Sequence, residues 1–401
     1  MTPLWALVLV SALAVQDPPP EKKDEPTVSP YLIPAIATGK NEGTTLGLLA
    51  ALLFSDEEGR VNRLLAAELA WRELVGINGF VDYRYYPTRT ALFEAFGSLA
   101  ERVESDVDVL YDDERFGDVA ALRAEFHESR VATDRFYGRG LSTPRSAESV
   151  LTSNQYVGLI QAGPHLSDNS WLQGTLRVRD YRVGPSLLTH APQTLDAYPD
   201  EPGIEGGLVV AEGLRIVYDG RDLRCTPTRG IVAQAGAEAA HDVRGGRATP
   251  FQGFWLDGTL LMPFGDEAQF VSVIHARARW VIGNAPFWEL PSLGGSTSLR
   301  SYGNDRFTDR GAAVLNFEER IRVATLTLLG TTGEVQVAPF VDLGEMFERP
   351  SQLFSGTGDR RLHYSYGAGL RGVVKPSIVG RVDAAYGREG FALLVGIDYP
   401  F

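Results

Sequence analysis

The feature that most constrains the fold is the pattern of the last eleven residues, FALLVGIDYPF. Apolar side chains occupy every second position, at Phe391, Leu393, Val395, Ile397, Tyr399 and Phe401. Successive side chains of a β-strand point to opposite faces, so this segment is apolar on one face and mixed on the other. A membrane-spanning strand needs about ten residues. The pattern therefore predicts a membrane-spanning strand that ends at Phe401, although a strand of a soluble sandwich has the same pattern.

The same alternation recurs through most of the chain, in segments separated by Gly, Pro, Asp and Asn. In one of them, Tyr364 and Leu370 share one face, and His363 and Arg371 share the other. The pattern predicts about sixteen strands. They span residues 43–54, 62–72, 79–86, 90–101, 120–131, 151–163, 171–182, 207–219, 230–241, 251–263, 267–279, 311–323, 334–345, 363–374, 378–387 and 391–401. An even number of strands is typical of bacterial outer-membrane barrels.

Composition excludes several other classes of protein. The chain has no run of the ~18 apolar residues that a transmembrane helix needs. Its net charge of −13 argues against a nucleic-acid partner, which would require a basic face. The single Cys225 excludes a disulfide framework and a multi-cysteine metal site. The sequence therefore predicts an all-β fold, a transmembrane antiparallel β-barrel.

Residues 79–119 are the least regular part of the pattern, and 103–119 could hold a further strand. The run 101–114 is rich in carboxylates, namely Glu101, Glu104, Asp106, Asp108, Asp112, Asp113 and Glu114. It could bind a divalent cation, but it lacks the ligand spacing of an EF-hand loop. A solvated loop is the preferred interpretation of this run.

The N-terminus has the features of an export signal. Leu4 to Val10 is a short apolar core, and Ala12-Leu13-Ala14 supplies an A-x-A cleavage site. Residues 15–30 are charged and rich in proline, a composition that cannot bury a core. We therefore predict a signal peptide over 1–14, a disordered tether over 15–30 and an outer-membrane barrel over 31–401, in a Gram-negative-type envelope.

Three groups of motifs lie in the second half of the chain. They are LGGSTSLRSY (293–302) with FTDR (307–310) and NFEER (316–320), FVDLG (340–344) with YGAGLR (366–371), and DGRD (219–222) with PTRG (227–230). In this order and spacing they resemble the BamA/TamA outer-membrane superfamily, also called the bacterial surface antigen family. The segment DRFYGRG (134–140) is also similar to that family.

The resemblance implies that the long loop 280–310 folds into the lumen of the barrel and that Arg300 pairs with Asp342 on the wall. We call this group the lumen lock, and its members are Arg300, Tyr302, Glu318, Asp342 and Gly344. A confined, bidentate pair between guanidinium and carboxylate groups is strong and specific. One departure is Ser301, which stands where the family usually has glycine.

The resemblance also implies roles for residues at the opposite end of the barrel. Asp219, Arg221, Asp222 and Gly230 would stabilise a periplasmic turn, with client binding as the alternative role. Gly396, Tyr399 and Phe401 resemble the terminal signal that outer-membrane barrels present to the barrel-assembly machinery.

The implied function is protein insertion or translocation, or lipid transport, across the outer membrane. The seam between the first predicted strand (43–54) and the last (391–401) would open laterally. Family members usually carry periplasmic POTRA domains, whereas residues 15–30 leave room only for a tether. We therefore expect a barrel-only member that contacts outer-membrane lipid and uses a periplasmic partner protein. The alternative is a passive pore or a structural surface protein.

The sequence predicts no enzyme and no metal or other cofactor. Its six histidines are scattered, and none lies in a nucleophile or metal motif. Several basic residues fall on the predicted lumen face, namely His275, Arg277, Arg279, Arg320, Arg322 and Arg371. They could conduct anions, but the preferred interpretation is that they balance nearby carboxylates in a wet interior.

Overall fold

The computed structural model describes residues 28–41, 43–57, 60–244, 250–328, 331–353, 362–375 and 378–401. The predicted signal peptide and residues 15–27 of the predicted tether lie outside this part of the chain.

Within the described residues, eighteen antiparallel strands form one closed sheet in which neighbours in the chain are neighbours in space. The barrel strands are β1 (Val28–Gly39), β2 (Gly43–Ser55), β3 (Val61–Arg72), β4 (Gly76–Tyr85), β5 (Ala91–Ala100), β6 (Ser105–Phe116), β7 (Ala120–Phe136), β8 (Ser149–Ser167), β9 (Ser170–Gly184), β10 (Gly207–Asp219), β11 (Gly230–Asp242), β12 (Phe251–Phe264), β13 (Phe270–Gly283), β16 (Gly311–Leu328), β17 (Thr331–Phe347), β18 (His363–Val374), β19 (Ile378–Gly387) and β20 (Gly390–Ile397). The remaining elements are the short strands β14 (Ser292–Leu293) and β15 (Phe307–Thr308), the single-turn helix α1 (Thr194–Ala197), and the 3-10 turns Arg145–Ala147, Asp266–Ala268, Phe287–Glu289 and Pro350–Gln352. The predicted all-β antiparallel barrel is confirmed, with eighteen strands instead of about sixteen.

The first strand, β1, was missed because its sequence contains Pro30 and Pro34. Proline has no backbone N–H to donate and is confined to edge strands and bulges. β1 is close to an edge strand, since it pairs with β2 along its whole length but with β20 only at Thr38. The last three residues of the predicted tether, 28–30, therefore belong to the barrel.

The second additional strand, β6, contains most of the acidic run, so the solvated-loop interpretation was wrong. Val107 and Val109 are 38% and 39% exposed on one face. Asp106 and Asp108 are on the other face, where their carboxylates lie 3.5 and 3.3 Å from Nδ1 of His127. No group of three or more potential metal ligands occurs in the described part of the chain.

The barrel is apolar outside and polar inside, which is the reverse of a soluble protein. On β18, Tyr366 and Leu370 are 50% and 47% exposed, whereas Ser365 and Arg371, which are adjacent to them in the chain, are fully buried. Such a surface is expected where hydrocarbon rather than water surrounds the strands. None of the helices in the described residues has the length and apolar character needed to cross a bilayer.

The two ends of the barrel differ in their connections. The long-loop end carries 137–148, 185–206 and 284–310, and the short-turn end carries connections such as 168–169 and 220–229. At the long-loop end, buried aromatic residues of several connections and strands pack together, including Phe136, Tyr181, Phe287 and Trp288. The rings of Tyr181 and Trp288 stack with centroids 4.8 Å apart, which holds the start of segment 284–310 against the wall.

The C-terminal strand ends at Ile397 rather than at Phe401. Asp398 has a left-handed backbone (φ 69°), which breaks the alternation because an extended strand requires negative φ. Tyr399 and Phe401 consequently leave the lipid-facing row to which the alternation assigned them.

Candidate functional site

The segment between β13 and β16 folds back against the wall of the barrel. Its two arms pair as a short hairpin, with Ser292 opposite Thr308 and Leu293 opposite Phe307. The apolar residues of the hairpin and its tip form one buried cluster with β16 and β17, comprising Leu293, Leu299, Tyr302, Phe307, Ala312, Val314 and Met346. This apolar contact positions the polar tip of the loop.

Arg300, at the tip, is completely buried. Its Nη2 and Nε donate to the two carboxylate oxygens of Asp342, at 2.8 and 3.1 Å, and its backbone N–H donates to the same group at 3.1 Å. The guanidinium carbon lies 3.3 Å from the centroid of the Phe340 ring. The lock thus combines a bidentate ion pair with a cation–π contact, both shielded from water.

The charged contacts extend from Arg300 across three strands. Nη1 of Arg300 donates to Glu318 at 2.9 Å, and Arg371 donates to the same oxygen at 3.0 Å. The other oxygen of Glu318 accepts from Nε of Arg320 at 3.0 Å. Burial alone would lower the pKa of the Arg300 guanidinium, but the carboxylates, led by Asp342, raise it above its ordinary value. Arg300 therefore remains charged at any physiological pH.

Two members of this network were not identified from the sequence. The Asp383 carboxylate lies 2.7 Å from Nη1 of Arg371 and 2.8 Å from Nη1 of Arg381. Arg371 is on β18, and Arg381 and Asp383 are on the neighbouring strand β19. Arg381 and Asp383 are two residues apart, so they share one face of β19. That spacing, also seen for Glu318 and Arg320, is the sequence signal that could have identified them.

Asn316 connects the lock to a histidine. Its Nδ2 donates to Asp342 at 2.8 Å and to the backbone carbonyl of Ser298 at 2.8 Å. Its Oδ1 lies 2.9 Å from Nδ1 of His275. The amide therefore joins the wall carboxylate to the backbone of the loop.

Gly344 and Tyr302, the uncharged members of the lumen lock, act through packing. A Cβ at Gly344 would lie 3.0 Å from Leu293 and 3.1 Å from Leu299, so the missing side chain makes room for the loop. The buried Tyr302 ring packs edge-on against Phe307, with centroids 5.4 Å apart.

Ser301 fits without a glycine-like backbone, because its φ is not positive. Its N–H donates to Oγ of Ser365 at 3.0 Å, and the two hydroxyl groups share a hydrogen bond of 2.7 Å. A Cβ at Gly387 would lie only 2.2 Å from Oγ of Ser301. The additional side chain is thus accommodated by a hydroxyl partner on β18 and a glycine on β19.

The predicted turn motif lies at the short-turn end. The Arg221 guanidinium pairs with Asp219, with Nε 2.9 Å from Oδ1, and Oδ2 of Asp222 accepts from the hydroxyl of Thr228 at 2.6 Å. Burial raises the pKa of Asp222, but hydrogen bonds led by those of Thr228 hold it below the ordinary value. Gly230 has φ +108° and sits so close to the backbone that a Cβ would be 2.2 Å from the carbonyl of residue 220.

The same turn also reaches across the mouth of the barrel. Arg224 donates to the backbone carbonyl of Thr90 and to the carboxylate of Asp112, both at 2.6 Å. These partners belong to β6 and to the β4–β5 turn, so the connection 220–229 lies over the short-turn opening.

The C-terminal residues predicted as an assembly signal lie beside the lock. The ring of Tyr399 faces Arg320, whose guanidinium carbon is 3.4 Å from its centroid. Phe401 stacks on His275 with centroids 4.9 Å apart, and a Cβ at Gly396 would lie 3.1 Å from Nε of Arg381. The end of the chain therefore packs on the lumen network.

The predicted lumen arginines fall into two groups. Arg320 and Arg371 belong to the lock network, and Arg322 lies 3.5 Å from Glu334. For Arg277 and Arg279, no carboxylate of the described residues lies within 4.0 Å.

The barrel closes through a seam between β1 and β20, not through the predicted strand 43–54, which is β2. Twelve registered pairs join β1 to β2 and eight join β19 to β20, but only Thr38 and Leu393 pair across the seam. The N–H of Leu393 donates to Oγ1 of Thr38 at 3.1 Å, and Nζ of Lys40 donates to the carbonyl of Glu389 at 2.9 Å. Within the described strands, the seam is joined at its long-loop end and unpaired towards the short turns.

Residues 210–387, which include the lock, the turn motif and the strands between them, match the Omp85 superfamily domain. The predicted resemblance to the BamA/TamA superfamily is thereby confirmed. No curated protein sequence matches the chain.

Solved structures of BamA and CdiB are similar to this barrel. BamA from Haemophilus ducreyi, in a form lacking POTRA domains 1–3, superposes with a TM-score of 0.52 at 13% identity, over 94% of this chain and 70% of that chain. CdiB from Acinetobacter baumannii gives 0.44 at 9% identity, over 93% and 65%, and CdiB from Escherichia coli gives 0.46 at 13% identity, over 94% and 60%. At these identities the comparison with BamA shows the fold, an outer-membrane type of β-barrel.

Proposed function

We propose that this Omp85 barrel inserts or translocates proteins at the outer membrane through the seam between β1 and β20. The observation that carries the proposal is the single registered pair, Thr38 with Leu393, across that seam. Strand edges with unpaired N–H and C=O groups are templates for an added strand. An incoming client strand would gain backbone hydrogen bonds there, next to lipid.

The lumen lock supports a lateral route over a route straight through the barrel. Arg300 and its buried partners hold the loop inside the barrel, and segment 220–229 lies over the opposite mouth. A passive pore, the alternative function, needs a continuous open lumen. Single-channel recordings separate the two: small, erratic openings support the lateral route, and a large, stable conductance supports a pore.

The proposed partners follow from the same surfaces. The exposed apolar strands contact outer-membrane lipid, and the barrel-assembly machinery inserts the barrel itself. A periplasmic protein would deliver clients to the short-turn end, where the seam is unpaired. Lipid movement along the open seam is the second activity that this geometry supports.

A disulfide across the seam tests the proposal. Thr38→Cys and Leu393→Cys would be combined in a Cys225→Ser background, and the oxidised variant should lose client insertion and regain it on reduction. The matched control places cysteines at Ala50 and Ala67, which are register partners on the fully paired strands β2 and β3. Normal insertion by the oxidised seam variant would refute the lateral route.

Cells depleted of the protein provide an independent test. We expect the protein or lipid composition of their outer membrane to change. An unchanged composition would favour the structural alternative.

A further inference from the structure

A large polar cavity lies in the lumen beside the lock. Its volume is about 890 Å³, and it is bounded by the inner faces of β7–β13 and by loop residues between Phe287 and Ser298. Seven arginines line it, namely Arg123, Arg135, Arg177, Arg179, Arg215, Arg277 and Arg279. Small-molecule sites have volumes of about 300–1,000 Å³, so the cavity is large enough for a small ligand.

Some of these arginines form ion pairs with carboxylate side chains of the protein. Arg177 pairs with Glu238 at 2.6 Å and with Glu289 at 2.8 Å. Arg123 pairs with Glu125 at 2.6 Å and with Asp112 at 3.3 Å. The charges of Arg177 and Arg123 are therefore compensated by carboxylates of the protein itself.

Three others are not neutralised. No carboxylate of the described residues lies within 4.0 Å of Arg215, Arg277 or Arg279. Arg215 donates to the neutral amide of Gln161 at 2.5 Å, and its Nε has no hydrogen-bond partner among the described residues. The facing carboxylate, Asp257, lies 3.3 Å from Nε2 of His275. The lining contains five carboxylates, namely Asp134, Glu238, Asp257, Glu289 and Asp305, so its seven arginines exceed them by two.

An aromatic residue, Trp255, lies between Arg215 and Arg279 in the strand register. Arg215, Gly236, Trp255 and Arg279 are successive register partners on β10, β11, β12 and β13. A Cβ at Gly236 would lie 2.0 Å from the Trp255 ring, so the indole covers the space that the glycine leaves. Arg279 is the direct cross-strand neighbour of Trp255, and Arg277 lies two residues before it on the same face of β13. The side chain of Arg215 extends in the opposite direction, to Gln161 on β8.

Guanidinium groups beside an indole suit a ligand that carries both a phosphate group and a sugar ring. Guanidinium groups bind phosphate through paired, charge-assisted hydrogen bonds. The face of an indole carries a partial negative charge and packs against the C–H face of a sugar ring. We propose that the cavity binds a phosphorylated sugar, with the phosphate on Arg277 and Arg279 and the ring on Trp255. This binding site is additional to the proposed lateral route and does not depend on it.

Binding to the purified full chain in detergent tests the proposal. Calorimetry would compare glucose 6-phosphate, glucose and inorganic phosphate. Glucose 6-phosphate should bind more tightly than either of the others, because only it uses both the indole and the guanidinium groups. Its affinity should fall with increasing salt, as expected for a charged contact.

Variants separate the two contributions. Arg279→Gln, and independently Arg277→Gln, should weaken binding of glucose 6-phosphate by about tenfold or more, since a hydrogen bond to a charged group is lost. Trp255→Ala should abolish the preference for glucose 6-phosphate over phosphate. The matched controls are Arg102→Gln, on an exposed turn, and the lipid-facing Trp71→Ala, both without effect.

Two results would overturn the proposal. One is equal affinity of the barrel for glucose 6-phosphate and inorganic phosphate. The other is undiminished binding by folded Arg279→Gln and Arg277→Gln variants. The source of the sugar is settled by competition in nanodiscs: a phosphorylated glycolipid that displaces glucose 6-phosphate identifies a lipid headgroup, and failure to displace it identifies a free sugar phosphate.

Discussion

Replacing Arg300 by alanine removes the side chain that joins the loop to the wall. Glu318 would keep two cationic partners, Arg320 and Arg371. Asp342 would lose the one cation of the described residues that lies within 4.0 Å of it. Breaking a buried ion pair by removing one partner costs about 3–5 kcal/mol. We expect a loss of that size in the free energy that holds the loop in the lumen.

Two measurements distinguish release of the loop from unfolding of the barrel. Limited proteolysis of the folded protein reports cleavage within segment 284–310, and a urea titration in detergent reports unfolding. Arg300→Ala should increase cleavage of the loop well before the barrel unfolds. Arg300→Lys should be intermediate, because lysine keeps the charge but cannot form the bidentate pair.

A double-mutant cycle and a matched control make the test specific. Arg300→Ala and Asp342→Asn should be less than additive when combined, with a coupling of about 0.5–3 kcal/mol. The control is Arg310→Ala, an exposed arginine in the same loop, which should leave cleavage unchanged. If Arg300→Ala behaves like Arg310→Ala, the lock does not hold the loop.

Two further predictions follow from buried contacts. Ser365→Ala should destabilise the folded loop by about 1–3 kcal/mol, because the N–H and hydroxyl of Ser301 lose a buried partner; limited proteolysis of segment 284–310 measures it, and an unchanged rate of cleavage would contradict this role. Arg224→Gln should release segment 220–229 from Asp112, so that Cys225 reacts faster with a thiol reagent. Equal labelling rates of variant and parent would show that Arg224 does not hold the segment.

Most of the barrel could be predicted from the sequence because alternation is a local property. A strand with one face towards lipid must place apolar side chains at every second residue, and sixteen of the eighteen strands show it. β1 escaped detection because prolines interrupt it, and β6 could be offered only as an alternative to a solvated loop because its inward face is so acidic. The local sequence of β1 and β6 does not specify a strand clearly, so these segments become strands through pairing with adjacent strands of the barrel.

The candidate site was only partly predictable. The expectation that Arg300 meets Asp342 came from a resemblance of motifs, and alternation agreed by placing Asp342 on the inner face. Asp383 and Arg381 were missed because the network forms only when β18 and β19 lie side by side. The inward turn of Tyr399 and Phe401 depends on the backbone of Asp398, which no periodicity reveals.

By itself, the sequence determined which side chains face lipid and which face the lumen, since that choice depends only on the period of a strand. Tertiary structure decided which lumen groups meet. The row from Arg215 to Arg279 and the seam at Thr38 join residues far apart in the chain. Their distances are set by strand register and barrel closure, and these depend on the packing of the whole chain.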